Sequence, residues 1–156
     1  GAFCGNVSRE VLSYVLNGYD LETDDYFRWK AEYDVHELSM LFKRKSGLDI
    51  GVIKALEPLE RGVSGRICRL KAVGSHGSAV IGKELEIRRV LSESHLKSSA
   101  FFAEFTGDRV ILYGAGWGHG VGLCQIGAAE MAHRGCTYDK ILGHYYPGAV
   151  LSKPEP

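Results

Sequence analysis

An indole and an imidazole stand two residues apart in a stretch almost free of other bulky side chains. Residues 114–122 read Gly-Ala-Gly-Trp-Gly-His-Gly-Val-Gly, with glycine at every second position. In an extended chain successive side chains alternate between two faces. Gly114, Gly116, Gly118, Gly120 and Gly122 are therefore expected on one face, with Ala115, Trp117, His119 and Val121 on the other. Stability does not ask for this, because glycine in a strand gives up backbone entropy and packs no side chain. The pattern suits a place where another backbone or a ligand comes very close. Trp117 then offers an apolar platform and His119 a polar tip, the pair that a sugar or peptide subsite uses. His119 can act as an acid–base group, a metal ligand or an orienting hydrogen-bond donor, since imidazole titrates nearest neutrality. The plainer alternative is a tight turn leading into a small-residue helix.

Other chemistries fit the residues less well. A dinucleotide loop needs Gly-x-Gly-x-x-Gly between strand and helix. No register supplies the last glycine: Gly114-x-Gly116 leads to His119, and Gly120-x-Gly122 leads to Gln125. Cys124 lies five residues after His119 and raises a Cys–His nucleophilic pair. A reactive thiol needs an electropositive, partly exposed setting, whereas Cys124 is expected on an apolar helix face with Val121 and Ala128, as a small core residue. Zinc held by His119, Cys124, His133 and Cys136 lacks the tight clamp of structural sites, so neither metal nor cofactor is expected. His133 and His144 fall near helix C-termini, where a protonated histidine suits the dipole with no further role.

Gln125 sits at the edge of an apolar helix face, either pointing into a groove or lying on the helix surface. Tyr145 continues a helical stripe, which leaves Tyr146, just before Pro147, the more available to line a sugar site. Glycoside hydrolysis normally needs positioned carboxyl groups, and residues 114–122 contain none. Glu130 falls opposite Val121 and Ala128, which predicts a solvated residue.

The elements that must position these residues are readable around them. A short helix is expected over Ser8–Leu16, and the alternating, aromatic-rich Tyr26–Tyr33 predicts a strand that packs Trp29 and Tyr33. Asp34, with Glu37 three residues on, has capping-box spacing. Val35, Leu38, Leu41 and Phe42 then form one apolar stripe, Lys43, Arg44 and Lys45 suit the last turn, and Gly47 is a natural helix stop. Ile50–Leu59 and Arg66–Val73 read as strands joined by a hairpin-like turn, with a further strand at Ser78–Ile81 and a helix at Glu84–Leu91. Ala100–Phe105 and Arg109–Tyr113 flank Thr106-Gly107-Asp108, a second hairpin signal. Val121–Arg134 has helical spacing, and Thr137 caps a final helix stopped by Pro147-Gly148. This order predicts a single α+β domain, with a mainly antiparallel sheet and three to five short helices.

At 156 residues, 45% hydrophobic and 24% charged, the chain suits one globular domain with a sizeable core. Nineteen basic residues balance nineteen acidic ones, which argues against a nucleic-acid surface. No apolar stretch reaches the roughly 18 residues of a membrane span, and no signal peptide is visible. Cys4, Cys68, Cys124 and Cys136 are too sparse for a disulfide framework; a single disulfide is left open. The chain opens Gly-Ala-Phe instead of with methionine, which reads as a piece of something longer.

The run Gly116-Trp117-Gly118-His119-Gly120-Val121-Gly122-Leu123-Cys124-Gln125-Ile126-Gly127-Ala128 closely resembles the signature of the SpoIID/LytB family. It continues with Met131-Ala132, Gly135, Tyr138, Ile141-Leu142 and His144-Tyr145-Tyr146-Pro147-Gly148. Leu123 stands where the family usually has methionine, and Cys124 where it has serine. Trp29–Tyr33, the Ser64-Gly65-Arg66 turn and Ser98-Ser99-Ala100-Phe101 are similar to family features too. The likeness covers about residues 26–150 and is most specific over 114–148. It implies an N-terminal segment (1–25) left from a longer parent, a SpoIID/LytB-like C-terminal domain (26–150) and a tail (151–156).

What the resemblance implies is work on peptidoglycan outside the cytoplasm. Sporulation members are lytic transglycosylases that cut glycan strands, and LytB-type members enhance cell-wall amidases. The family cuts with a glutamate in a Ser-Glu-x-Pro-like segment, and Ser92-Glu93 is followed here by Ser-His-Leu, which does not match. The chain is thus expected to supply no catalytic residue and not to cut glycan by itself. Trp117, Gly118, His119, Gly120, Gln125 and Tyr146 would bind glycan strands, with His119 and Gln125 as supporting residues. The partners implied are glycan strands and a cell-wall amidase.

Overall fold

The computed structural model describes residues 5, 7, 9–15 and 27–152. Along them run α1 (Arg9–Tyr14), β1 (Arg28–Asp34), α2 (Val35–Ser46), β2 (Ile53–Arg61), β3 (Ile67–Gly74), β4 (Ser78–Gly82), α3 (Glu84–Val90), β5 (Phe101–Thr106), β6 (Arg109–Ala115), α4 (Gln125–His133) and α5 (Tyr138–Tyr145). The fold class is α+β, and the strands pair antiparallel in two three-stranded sheets, ordered β1-β6-β5 and β2-β3-β4. The chain divides into two compact units, Arg28–Gly120 and the described residues of 1–27 with 121–156. Ser8, Leu16, Tyr26 and Cys4 lie outside the described residues, as do residues 153–156 of the expected tail.

In the Arg28–Gly120 unit, Asp34 ends β1 and opens α2. Its Oδ1 accepts from the backbone N–H of His36 (2.8 Å) and of Glu37 (3.2 Å), which satisfies two of the donors a helix start leaves bare. Gly47 closes the helix in the left-handed region at φ 75°, its N–H donating to Lys43 O at 2.9 Å. The stripe expected on α2 is buried: Leu38 and Phe42 are fully enclosed, with Val35 and Leu41 nearly so. Leu38, Leu41 and Phe42 join Ile67 and Leu70 of β3, Ile87 and Val90 of α3, and Val110 and Leu112 of β6 in one core. Each such side chain stabilises the fold by about 1.5–3 kcal/mol relative to exposure. Ser39 bridges helix and sheet, donating to Val35 O at 2.6 Å and accepting from Ile53 N–H at 2.8 Å.

Gly114 on β6 pairs with Trp29 on one side and Phe101 on the other. The two rings approach at 6.4 Å between centroids, tilted by 55°. A Cβ on Gly114 would fall inside the Trp29 indole. The first glycine of the run is therefore fixed by core packing, and Trp29 can lie flat over bare backbone.

In the other unit, α1, whose Val11 and Leu12 are buried, packs against α4, and α4 contacts α5. Helix α4 starts at Gln125, not at Val121 as its spacing predicts, because Gly122 sits at φ 78° and Cys124 takes the N-cap. The face set by Val121 is therefore not a helical face, and two expectations built on it change. Cys124 is a half-buried cap and not an apolar-face residue. Glu130 is only 5% exposed, because the true inner face is Gly127, Glu130 and Met131 at i, i+3 and i+4. The helix stops in a Schellman motif: Gly135, at φ 81°, donates to Ala132 O and Cys136 to Met131 O, both at 2.9 Å.

Candidate functional site

Past Ala115 the glycine run leaves strand geometry. Gly116, Gly118 and Gly120 have φ of 72°, 77° and 71°, values that a residue with a Cβ rarely adopts. The two-faced flat ribbon expected from the spacing is replaced by a backbone that enters the left-handed region at every second residue. The alternation marks where the backbone must turn the wrong way for L residues, and only one glycine of the five lies within a strand.

A chain turning this way cannot use ladder hydrogen bonds, so its polar groups need other partners. They find them in side chains. Ser98 Oγ donates to Ala115 O at 2.7 Å, and Trp29 Nε1 donates to Gly116 O at 3.1 Å. Arg66 reaches from the β2–β3 turn, donating from Nη2 to Trp117 O at 3.3 Å and from Nε to Gly118 O at 3.0 Å. Gly118 N–H donates to Lys97 O at 2.7 Å. Four consecutive carbonyls are thus held by three side chains. A Cβ on Gly116 would lie 2.9 Å from Arg66 Nη2, and one on Gly120 would overlap the Arg66 side chain. These two glycines make room for a guanidinium from the same unit. Gly118 faces open space.

With its backbone engaged internally, the loop turns side chains outward. Trp117 is 54% exposed, and Lys97 Nζ lies 5.4 Å from its ring centroid, within cation–π range. His119 is exposed as well. Together they offer a flat apolar surface, an ammonium and an imidazole, able to stack on a ring and to hydrogen-bond or pair with acceptors beside it. Sequence reasoning missed Arg66, Lys97 and Ser98 as parts of this loop. The turn residues Ser64-Gly65-Arg66 and the Ser98-Ser99 pair were the available signal, since buried Ser98 and Ser99 tie the loop to β3, Ser99 Oγ donating to Ile67 O at 3.0 Å.

Gln125 and Tyr146 belong to the other unit. Gln125 is the exposed first residue of α4. Before it, Cys124 Sγ accepts from Gly127 N–H at 3.4 Å, the contact a capping serine hydroxyl makes. Tyr146 is 44% exposed, whereas Tyr145 is half-buried, its hydroxyl occupying the space a Cβ on Gly127 would need. The structure gathers Trp117, Gly118, His119 and Gly120 in one unit, and Gln125 and Tyr146 in the second. Among the described residues, no group of three or more His, Cys, Asp or Glu could hold a metal ion, and no helix is long and apolar enough to cross a membrane. Cys68, Cys124 and Cys136 form no disulfide.

Comparison with known proteins agrees with the signature. A family model described as "Domain of unknown function (DUF8618)" matches residues 2–122. The chain is 39% identical over 79 residues to Stage II sporulation protein D of Bacillus subtilis (strain 168), a match taking 50% of this chain and 23% of that protein. It is 37% identical over 79 residues to Stage II sporulation protein D of Bacillus amyloliquefaciens, with the same 50% and 23% shares. It is also 34% identical over 67 residues to the Amidase enhancer of Bacillus subtilis (strain 168), covering 43% of this chain and 10% of that protein. The chain thus spans less than a quarter of the length of these relatives, and the resemblance to SpoIID and LytB stands.

Proposed function

For a chain that belongs to the family described as "Domain of unknown function (DUF8618)", we propose a role in the cell wall as the glycan-groove part of a SpoIID-like peptidoglycan lytic transglycosylase. The SpoIID/LytB-like region of this reading is residues 26–150. The observation that carries it is the loop that follows β6: the Ala115, Gly116, Trp117 and Gly118 carbonyls are taken up by Ser98, Trp29 and Arg66, while Trp117 and His119 stand exposed. Such a preorganised loop presents a stacking surface and a hydrogen-bonding tip without further ordering on binding. Trp117 packs on a sugar ring and His119 orients polar groups of the glycan, while Gln125 and Tyr146, exposed in the other unit, are glycan-binding residues of that unit on this reading. The work takes place outside the cytoplasm, where the polymer lies.

Cleavage of a glycosidic bond calls for a carboxyl group at the scissile oxygen, and residues 114–122 bring none. On this reading the chain by itself binds glycan and does not cut it. Sedimentation with purified peptidoglycan tests the proposal: wild type is expected to co-sediment, and Trp117→Ala and His119→Ala to stay largely in the supernatant. Equal sedimentation of all three would overturn it. Release of anhydro-sugar products by the purified chain would overturn the non-cutting part.

A second reading, a module that stimulates a cell-wall amidase, is favoured by the likeness to the Amidase enhancer. It predicts faster stem-peptide release by an amidase when the chain is added. Under the first reading the amidase rate is unchanged.

A further inference from the structure

Each three-stranded sheet of the Arg28–Gly120 unit has two edge strands, and three of these edges carry devices that discourage further pairing. Strand β1 bears Arg28, Lys30, Glu32 and Asp34. Strand β2 holds Pro58 among Lys54, Glu57, Glu60 and Arg61, and its register with β3 breaks at three places. Strand β5 carries exposed Glu104, and its Phe101 carbonyl accepts from Arg61 Nη2 at 2.8 Å. Strand β4 has none of these. It reads Ser-Ala-Val-Ile-Gly, without charge or proline, and pairs with β3 in unbroken register.

The groups left open on β4 follow from its hairpin. Gly74 N–H donates to Gly77 O at 2.7 Å, closing the turn over Ser75-His76. Hydrogen-bonded and non-hydrogen-bonded pairs alternate from there. Ala79 and Ile81 therefore bond Ala72 and Leu70 of β3, and the N–H and C=O groups of Ser78, Val80 and Gly82 point away from the sheet. Val80, at the centre, is 50% exposed. Leu85, 57% exposed, follows on α3, which contacts β4. Two large apolar side chains thus stand open on and just after the unguarded strand.

We propose that this edge pairs with the β4 edge of a second copy of the chain, antiparallel about Val80. A twofold axis there sets Val80 against Val80 and Ser78 against Gly82 of the other copy, so each outward group meets a complementary one. On the inner face Ala79 meets Ile81 of the other copy, small against large in both directions. Charge selects the same arrangement. Lys83 follows the strand directly, and antiparallel pairing sets the two Lys83 residues roughly 20 Å apart along the strands, well beyond the roughly 8 Å screening length. Parallel pairing would bring them to about 5 Å. Lys71, opposite Val80 on β3, is paired with Glu57 at 3.4 Å. Its counterpart would lie three strand spacings away, about 14 Å. A five-residue pairing falls short of the roughly 1,000 Å² of a lasting interface, so association is weak, with Kd on the order of 0.1 mM. The inference is independent of the glycan reading, since no residue of the Trp117 loop takes part.

Sedimentation equilibrium of the full chain, over about 0.01 to 1 mM, is expected to show a reversible monomer–dimer equilibrium. Val80→Lys places like charges directly opposite each other and should weaken the dimer at least about tenfold. Val80→Glu should do the same. An equimolar mixture of the two variants should dimerise again, because residue 80 then faces its opposite charge. Val63→Lys, at the exposed tip of the β2–β3 hairpin, should change nothing. Amide exchange gives a reading without substitution: protection at Val80 should rise with protein concentration, while Ala79, already bonded to β3, is protected throughout. A chain that stays monomeric at the highest concentration overturns the proposal, even where β4 captures a foreign peptide. So does a dimer indifferent to Val80→Lys, or lysine and glutamate variants that remain apart when mixed.

Discussion

Arg66 Nε donates to the Gly118 carbonyl at 3.0 Å, from a turn 52 residues earlier in the chain. Its Nη2 holds the neighbouring Trp117 carbonyl, and Gly116 and Gly120 lack the Cβ atoms that would crowd its side chain. One arginine thus decides both how the loop turns and why glycines flank it. The bare backbone that suggests ligand access is in part occupied from within.

Replacing Arg66 should therefore loosen the loop more than the sheets. Arg66→Ala removes two charge-assisted bonds from a part-buried position, at about 1–2 kcal/mol after allowance for solvent. Arg66→Lys should recover little, because a single ammonium cannot match a planar fork held to two carbonyls. Amide hydrogen exchange is the measurement: protection should drop at Gly118, with the α2 and β3 amides keeping theirs. Uniform loss across the unit would contradict this assignment.

The glycines should differ in what they tolerate. Gly118→Ala meets open space and suffers only its left-handed φ, about 1–2 kcal/mol. Gly120→Ala adds a clash with Arg66, and Gly114→Ala one with the rigid Trp29 ring, so the expected order of damage is Gly114, Gly120, Gly118. In an Arg66→Ala background the extra cost at Gly120 should vanish, a non-additivity expected only of residues in contact. Thermal unfolding of the single and double variants reads it. Full additivity would mean that Arg66 does not set the identity of residue 120.

Much of this was legible in the residues, and the reasons for the rest are local. The Asp34 cap, the Leu38–Phe42 stripe and Gly47 agree because propensity, capping and burial all favour one helix there. The hairpin at Thr106-Gly107-Asp108 was visible for the same reason. The glycine run misled because alternation has two physical causes, the pleat of a strand and repeated positive φ, and a sequence does not distinguish them. The start of α4 moved for a related reason: helical spacing holds from Val121, but Gly122 has already committed the backbone elsewhere. Arg66 was recognisable only as a turn residue, since its partners are carbonyls far off in sequence.

Cys124 should behave as a helix cap. Thiol sulfur is a weak acceptor, and its 3.4 Å contact with Gly127 N–H is one a hydroxyl makes more strongly. Cys124→Ser is expected to stabilise by about 0.5–1 kcal/mol and Cys124→Ala to destabilise by a similar amount, about 2–4 °C per kcal/mol in a chain of this size. Melting temperatures of the two variants check it. A serine variant no more stable than the alanine one would dismiss the cap.

Stability should depend on pH through Glu32. The hydrogen bond and charge of Lys30, and then the charge of Arg109, hold its carboxyl below the usual carboxylate range. A group depressed in this way adds stability that is complete above its unfolded pKa, about 4.3, and disappears as pH falls through the lower folded value. Glu32→Gln should therefore melt below wild type at pH 7, with the two curves converging in acid. Added salt should shrink the gap at pH 7, since the pair is exposed. A gap that widens in acid would reverse the assignment.

Glu130 is a buried carboxylate with one partner. Its Oε1 accepts from Arg134 Nε at 2.6 Å, while Oε2 is enclosed without a hydrogen bond. Breaking such a pair from the exposed end leaves an uncompensated charge inside. Arg134→Ala is therefore expected to cost about 1–3 kcal/mol, and Glu130→Gln, which keeps the shape and removes the charge, distinctly less. In a Glu130→Gln background most of the Arg134→Ala penalty should disappear, because no buried anion is left to strand. Chemical denaturation of the four proteins measures the cycle. If Arg134→Ala is equally harmful with glutamine at 130, the arginine stabilises α4 by some other contact, and Glu130 is not what it serves.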